Sequence, residues 1–318
     1  MKRRLFLVLW FIHCSAQAVD LPGIPAFIDE MVAKHQFKRE ELQQAFSRAE
    51  YRADAIESIT KPAIFKPWVE YRPNFINPQR IGGGVQFWHK YSAALRRAEK
   101  QYGVPQEIIL GVIGVETMYG RNPGKYRALD ALTTLAFDYP RRADFFRDEL
   151  EQYLLLAREQ GFDLLDIQSS YAGALGIPQF MPSNYRRYAV DYNGNGRIDI
   201  MNEPEDAIGS VANYLRQYGW RCGEPVALLS KVEDEKRLGV IGEARPYIAW
   251  REAGVVALKL PEGYLPPAWL LDFTAQSGKE YWLVFSNFNV IMRYNNSNFY
   301  AMTVYQLAEA VRQARQAN

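Results

Sequence analysis

The sequence predicts a mainly α protein of the α+β class with a small β-rich subdomain, and three observations carry that prediction. Apolar residues recur at helical spacing from Leu21 to Trp220. Beyond Glu224 the texture changes to short apolar runs, Val226-Ala227-Leu228-Leu229, Gly254-Val255-Val256-Ala257-Leu258 and Tyr281-Trp282-Leu283-Val284-Phe285, separated by proline and glycine as strands are. A helical pattern then returns at Thr303-Val304-Tyr305-Gln306, whose capping-box spacing opens a last helix to about Gln313.

The first 18 residues read as a secretory signal: Lys2, Arg3 and Arg4, the apolar run Leu5 to Ile12, and Ala16-Gln17-Ala18 as a small-x-small cleavage site. Cys14 raises the alternative of lipid anchoring, against which the bulky His13 argues. A periplasmic protein is the expectation. Two helices follow, Pro25 to His35 and Lys38 to Ala53. Tyr71 to Phe75 and Gly82-Gly83-Gly84 read as loops, and Phe87 to Tyr102 as one helix with a solvated basic face. Further helices are predicted at Gln106 to Met118, Ala128 to Phe137, Arg142 to Gln160, near Pro182 to Val190, and Asp206 to Tyr218.

At 318 residues, 48% hydrophobic, the chain can bury a sizeable core. Its formal charge of +2 falls to −1 once the three cations of the leader are removed, so no nucleic-acid footprint is expected. With Cys14 gone, Cys222 stands alone, and three histidines do not suggest a Cys/His metal cluster. No other apolar run approaches the length of a membrane span.

Glu116 carries the most chemistry. It ends an apolar helical run that starts at Val104-Pro105, with Ile109, Val112 and Ile113 on its own face and Gly120 as a stop. A carboxyl among apolar neighbours resists ionising and can hold a proton near neutral pH, which makes it a candidate general acid. The alternative is an ordinary acid at a helix end with its head in solvent.

The block Ser169-Ser170-Tyr171-Ala172-Gly173-Ala174-Leu175-Gly176-Ile177-Pro178-Gln179-Phe180-Met181-Pro182-Ser183, with Phe137-Asp138-Tyr139-Pro140-Arg141-Arg142 and the Glu116 motif before it, resembles the lytic murein transglycosylase B family. The resemblance runs from about Trp68 to Trp220 and resumes at Arg293-Tyr294-Asn295. It implies a lysozyme-like core over residues 101–220, completed by 290–302. Around that core it implies an N-terminal helical subdomain over 19–100, joined by the C-terminal helix 303–318, and a β-rich subdomain over 221–289. It also implies non-hydrolytic cleavage of the MurNAc-GlcNAc β-1,4 bond to a 1,6-anhydro-MurNAc end. Glu116 would serve as acid and then base, the substrate's N-acetyl group replacing the second carboxylate that such cleavage usually needs. Asp130 and Asp138 are poor candidates for that second role, one as a local cap or partner and one in the arginine-bearing turn. By the same resemblance Gln179 and Phe180 line the wall beside Glu116, and Ser170 hydrogen-bonds its carboxyl. Arg141 and Arg142 meet carboxylates of the glycan, and Tyr71, Tyr214, Tyr294 and Asn295 surround the sugars. Taken singly, each residue also has a plain reading in a core, a loop or a solvated surface.

Asp191-Tyr192-Asn193-Gly194-Asn195-Gly196-Arg197 fits the first half of an EF-hand loop, with Asp191, Asn193, Asn195 and the Arg197 carbonyl as oxygens for a hard cation. Position 12 is Asn202 rather than Glu. The family's lengthened loop implies closure by Asp206, whose alternative role is a helix N-cap. A structural Ca2+ is thus expected, with a plain Asn-Gly turn as the alternative. No cofactor is expected for catalysis. The expected partners are peptidoglycan glycan strands, then cell-wall synthesis or degradation proteins, on a monomer. Two rival functions are a glycan hydrolase, which needs a second carboxylate or a positioned water, and a catalytically silent cell-wall binding protein, which does not need Glu116.

Overall fold

The computed structural model describes residues 21–61, 66–239, 242–263, 265–276 and 278–317; the leader 1–18 and Cys14 lie outside them. In chain order, the described N-terminal part forms α1 (Ile24–His35), α2 (Arg39–Ser47), α3 (Ala53–Thr60), α4 (Trp68–Tyr71), α5 (Pro78–Lys90) and α6 (Ser92–Tyr102). The middle holds α7 (Gln106–Thr117), β1 (Tyr126–Arg127), α8 (Ala128–Asp138), α9 (Ala143–Gln160), β2 (Gln168–Ser169), α10 (Pro182–Tyr188) and α11 (Pro204–Gln217). The remainder supplies β3 (Ala227–Val232), α12 (Tyr247–Glu252), β4 (Val255–Ala257), β5 (Trp269–Ala275), β6 (Gly278–Val284), α13 (Ser286–Met292) and α14 (Asn298–Gln316). The mainly helical α+β class is as the sequence predicts. β5 escaped prediction because Trp269-Leu270-Leu271-Asp272-Phe273 follows a proline pair and carries an acid in mid-run.

The larger sheet is antiparallel in the order β4-β3-β6-β5, and the smaller pairs β1 with β2. The larger sheet has a core of its own around Trp250, Leu270, Leu283 and Phe285. From its other face Phe273 and Val284 join the main core, in which the N-terminal helices, α7, α8, α11 and α14 meet.

At the centre of that core lies α7, buried from Ile108 to Val115. An apolar helix of this kind needs close neighbours on every side, and Gly111 provides one: a Cβ there would sit 2.5 Å from the Val304 carbonyl oxygen of α14. α14 can therefore pack backbone to backbone against α7. Its register carries Tyr300 to the C-terminal end of α7, where Glu116 sits.

Several boundaries depart from the sequence reading, each for a tertiary reason. The helix expected over Lys38 to Ala53 breaks after Ser47, because the Glu50 N–H donates to Asp130 and the Arg52 N–H to Thr134 Oγ1, both on α8. Gly83 and Gly84 lie inside α5, not in a loop. The Tyr119 ring fills the space beside them, and a Cβ on Gly84 would fall 2.5 Å from its hydroxyl. The helix expected over Phe87 to Tyr102 breaks at Tyr91, whose ring packs on Phe87 at 4.6 Å. The last helix begins at Asn298 under a Ser297 cap, with Thr303 buried in mid-helix. The Ser297 Oγ accepts the Tyr300 N–H, and apolar packing carries the helix past both residues of the supposed capping box.

Filling the contact at Gly111 tests this arrangement. Gly111→Ala should lower stability by about 1–3 kcal/mol, the usual penalty of overpacking a close interface. Denaturant unfolding of the variant beside wild type reads it, while Gly82→Ala, at an exposed helical position of α5 with open space around it, should not lower stability.

Candidate functional site

Glu116 sits in the last turn of α7, and the helix stops immediately after it. Met118 and Tyr119 take left-handed backbone at φ 53° and 64°, and their N–H groups return to the Gly114 and Ile113 carbonyls. Arg80 of α5 caps the same end by donating to the Gly114 and Val115 carbonyls, its guanidinium held over the Phe75 ring at 5.2 Å. A cation at a helix C-terminus is the favourable polarity.

The Glu116 side chain keeps only partial solvent access, and its Oε1 accepts one hydrogen bond, 2.6 Å from the Tyr300 hydroxyl. Burial pushes its carboxyl up to about 7, and the Tyr300 bond partly opposes that rise. Burial disfavours the charged form, whereas a donated hydrogen bond favours it, so burial wins. Tyr294 and Tyr300 are themselves raised well above the ordinary phenol value by burial and by Glu116, and both remain donors at neutral pH. Their rings stack at 6.3 Å. Among the described residues no second carboxylate contributes to the field at Glu116. Asp130 is spent on Arg127 at 2.6 Å and on the Glu50 N–H, and Asp138 on the Tyr51 hydroxyl.

The motif residues arrive by different routes. Leu175 and Phe180 bridge to each other, closing a tight turn in which Gln179 has φ 53°. Thr117 Oγ1, next to Glu116, donates to the Ile177 carbonyl at 2.7 Å, and the Tyr294 hydroxyl donates to that of Pro178 at 2.6 Å. The turn is thus fastened to the Glu116 helix. The Gln179 Nε2 donates to the Pro123 and Gly176 carbonyls, both at 2.9 Å. Phe180 and Tyr214 lie in the core behind this turn, with Tyr214 donating to the Arg293 carbonyl at 2.7 Å and packing on Tyr294 at 4.8 Å. Tyr71 is half-buried against Trp68, Phe75 and Phe299, and its hydroxyl is raised by burial and by Glu116. Asn295 is exposed beside Tyr294. Arg141 and Arg142 are exposed, and the Arg142 guanidinium lies 4.1 Å over the Phe145 ring.

Ser170 stands differently from its expected role. Its Oγ accepts the N–H groups of Ala172 and Ala174 at 3.3 and 3.1 Å, shaping its own loop, and the bond to Glu116 comes from Tyr300 instead. Sequence reading missed Tyr300 because it lies in a segment to which no element had been assigned, among 20 tyrosines. The Ser297 cap three residues earlier was the available signal.

In the EF-hand-like loop, Asp191 accepts the N–H groups of Gly194, Asn195 and Gly196 at 2.7–3.1 Å. Asp206 is fully buried at the third helical position of α11, where the N-cap is Glu203, and takes the N–H groups of Tyr192, Asn193 and Asp199. Its carboxylate therefore organises the loop from beneath. The acid that faces the loop amides is Glu203, which accepts from Asn193 and Asn195 Nδ2 and from the Arg197 guanidinium. Those donors surround Glu203, while the amide oxygens of Asn193 and Asn195 accept the Asn195 and Arg197 N–H groups, each at 2.9 Å. Among the described residues no group of three or more acidic, Cys or His side chains converges as a metal site.

The raised carboxyl has a testable sign. Glu116 ionises at 4.5 unfolded and about 7 folded, so its neutral form stabilises the fold fully below pH 4.5, and that contribution is lost as pH rises through 7. Glu116→Gln should match wild type in stability at pH 4 and exceed it at pH 8 by up to about 3 kcal/mol, measured by denaturant unfolding. Tyr300→Phe removes the bond that favours the carboxylate. The pH dependence of its stability should show Glu116 ionising higher, its constant displaced about tenfold or more.

A family model described as the transglycosylase SLT domain matches residues 22–309. The chain is 44% identical over 305 residues to the membrane-bound lytic murein transglycosylase B of Escherichia coli (strain K12), covering 92% of this chain and 84% of that one. Among solved structures, the soluble lytic transglycosylase SltB1 from Pseudomonas aeruginosa superposes with a TM-score of 0.86 at 47% identity, covering 93% of this chain and 100% of the other. The E. coli lytic transglycosylase Slt35 in complex with calcium gives 0.86 at 43% identity, covering 93% and 94%. This lysozyme-like chain belongs to the lytic murein transglycosylase B family, defined by the SLT domain.

Proposed function

We propose that this chain cleaves the β-1,4 bond between MurNAc and GlcNAc of peptidoglycan without water, leaving a 1,6-anhydro-MurNAc end, with Glu116 as the one acid-base group. The observation that carries this reading is a carboxyl that ionises near 7, bonded by Tyr300 and without a second carboxylate in its field. A general catalyst works best when its ionisation lies near the working pH. Family membership supports the substrate class.

In the first step the protonated Glu116 gives its proton to the glycosidic oxygen as the C1–O bond breaks, and the N-acetyl carbonyl oxygen of MurNAc bonds to C1. In the second, the carboxylate removes the proton of the sugar's 6-hydroxyl, whose oxygen displaces the acetamido oxygen at C1. Glu116 ends protonated, ready for another cycle, and no water is consumed. Tyr300 suits both halves, since its hydroxyl steadies the carboxylate between them. Tyr71, Tyr294, Asn295 and Gln179 would contact the sugars at the opening of the site, with Phe180 and Tyr214 as backing. Arg141 and Arg142 would receive carboxylates of the lactyl or peptide substituents. Ser170 would hold the loop beneath.

The oxygens of Asp191, Asn193 and Asn195, the Arg197 carbonyl and the Glu203 carboxylate suit a bound Ca2+ acting as a structural ion, with Asp206 ordering the loop beneath it rather than closing it, and the calcium complex of a relative supports this. Such an ion would stiffen the loop that α6 holds through Arg97, stacked at 4.2 Å on Tyr192. The periplasm is the compartment where this substrate is met. Among the described residues no helix is long and apolar enough to cross a membrane.

Mass spectrometry of muropeptides released from purified sacculi should find products one water lighter than hydrolysis gives, and none with Glu116→Gln. Products carrying the added water would favour the hydrolase, and binding of sacculi with no release would favour the silent binder. Adding Ca2+ at a hundredfold excess over its Kd should raise unfolding stability by about 2.7 kcal/mol. Asp191→Ala should lose that increment, as read by thermal unfolding with Ca2+ and with chelator.

A further inference from the structure

Glu149 is a buried carboxyl that the chemistry at Glu116 does not use. It lies within α9, 5% exposed, on the face that carries Phe146, Leu150 and Tyr153 into the core. Among the described residues Ser183 is its one hydrogen-bond partner. The Ser183 N–H donates to Oε2 at 2.9 Å and the Ser183 hydroxyl to Oε1 at 2.6 Å. Burial pushes the carboxyl up and the two Ser183 bonds oppose that rise, while the charges of Asp148 and Arg142 act with opposite signs. A leucine would fill such a place without withdrawing a carboxyl from water, so packing alone does not account for the acid.

Ser183 closes the Gln179-Phe180-Met181-Pro182-Ser183 block, three residues beyond Phe180. The block is held at its start by the Thr117 hydroxyl on the Ile177 carbonyl and by the exchanged N–H and C=O groups of Leu175 and Phe180. At its end, Met181 and Pro182 open α10 without a side-chain cap of their own, and the Glu149 carboxyl supplies the missing acceptor. Between the two anchors stands Phe180, whose ring packs on Tyr294 at 5.8 Å. Tyr294 stacks in turn on Tyr300, the donor to Glu116. Fixed at one end only, this wall could pivot about the Thr117 bond. Fixed at both, it keeps Gln179 and Phe180 at one distance from the reacting carboxyl.

We infer that Glu149 is a positioning residue for the reaction at Glu116, holding the far end of the wall formed by Gln179 and Phe180 through its two hydrogen bonds to Ser183. This deepens the reading of Glu116 as the acid-base group and rests on it. What Glu149 supplies is hydrogen bonding rather than charge. A glutamine can replace it, its oxygen taking the Ser183 N–H and its Nε2 donating to the Ser183 Oγ, which turns from donor to acceptor. A leucine of similar size supplies neither bond.

The test compares Glu149→Leu, Glu149→Gln and Ser183→Ala, with folding checked by circular dichroism. On soluble glycan strands, kcat should fall about tenfold or more in Glu149→Leu with KM within about twofold of wild type, because a displaced wall misplaces the sugar for proton transfer without removing its contacts. Glu149→Gln should keep the wild-type kcat. Ser183→Ala, which retains the N–H bond, should lose less than Glu149→Leu, and adding it to Glu149→Leu should cost nothing further. Hydrogen exchange reads the same anchoring without substrate. In Glu149→Leu the Leu175 and Phe180 N–H groups should exchange about tenfold faster while those of Val112 and Ile113 in α7 hold their rates, and Glu149→Gln should change none of them. A folded Glu149→Leu with wild-type kcat, or with wild-type exchange at Leu175 and Phe180, overturns the proposal. So does a Glu149→Gln as slow as Glu149→Leu, which would make the charge of Glu149 the property that matters. Should Glu149→Leu not fold, Ser183→Ala decides, and wild-type kcat and exchange there overturn the proposal. A wild type that releases no muropeptide defeats the reading of Glu116 and this role with it, whereas unchanged exchange beside an active wild type defeats this role alone.

Discussion

Withdrawal of one carboxyl from water is the constraint on which the rest of this structure depends. Glu116 is raised to about 7 because protein surrounds it, and α14 supplies much of that surrounding. α14 can come so close only because α7 has glycine at 111, beneath the Val304 carbonyl, and at 114, beside Leu307 and Tyr119. Neither glycine touches Glu116. Together they let the two helices approach closely, and α14 delivers Tyr300 to the carboxyl.

The backbone around Glu116 is strained for the same purpose. Met118, Tyr119 and Gln179 all hold left-handed conformations without being glycine, a state that costs about 1–3 kcal/mol each when nothing offsets it. Such residues persist where their surroundings over-determine them. Here the surroundings are the Thr117 and Tyr294 hydroxyls on the 177–178 carbonyls, the Gln179 amide on two further carbonyls, and Arg80 on the end of α7. The stability lost at this corner lets the turn and the acid share one rigid frame. The EF-hand-like loop repeats the device at lower stakes, with buried Asp206 tying three backbone N–H groups together below a face of amides and Glu203.

What the sequence determined by itself was whatever is written locally. The apolar period of α7, the acid at its end, the Gln179-Phe180-Met181-Pro182-Ser183 block and the Asp191 to Arg197 oxygens are contiguous patterns, and each is legible because neighbouring residues act on one another directly. What only the tertiary structure decided lies between residues far apart in the chain: Tyr300 reaching Glu116 across 184 positions, Asp130 and Thr134 breaking a predicted helix 80 residues earlier, and Tyr119 turning a run of glycines into helix. The physical reason is that hydrogen bonds and desolvation depend on distance in space. A serine or a tyrosine has several partners in principle, and which one it takes is fixed only when the helices are packed.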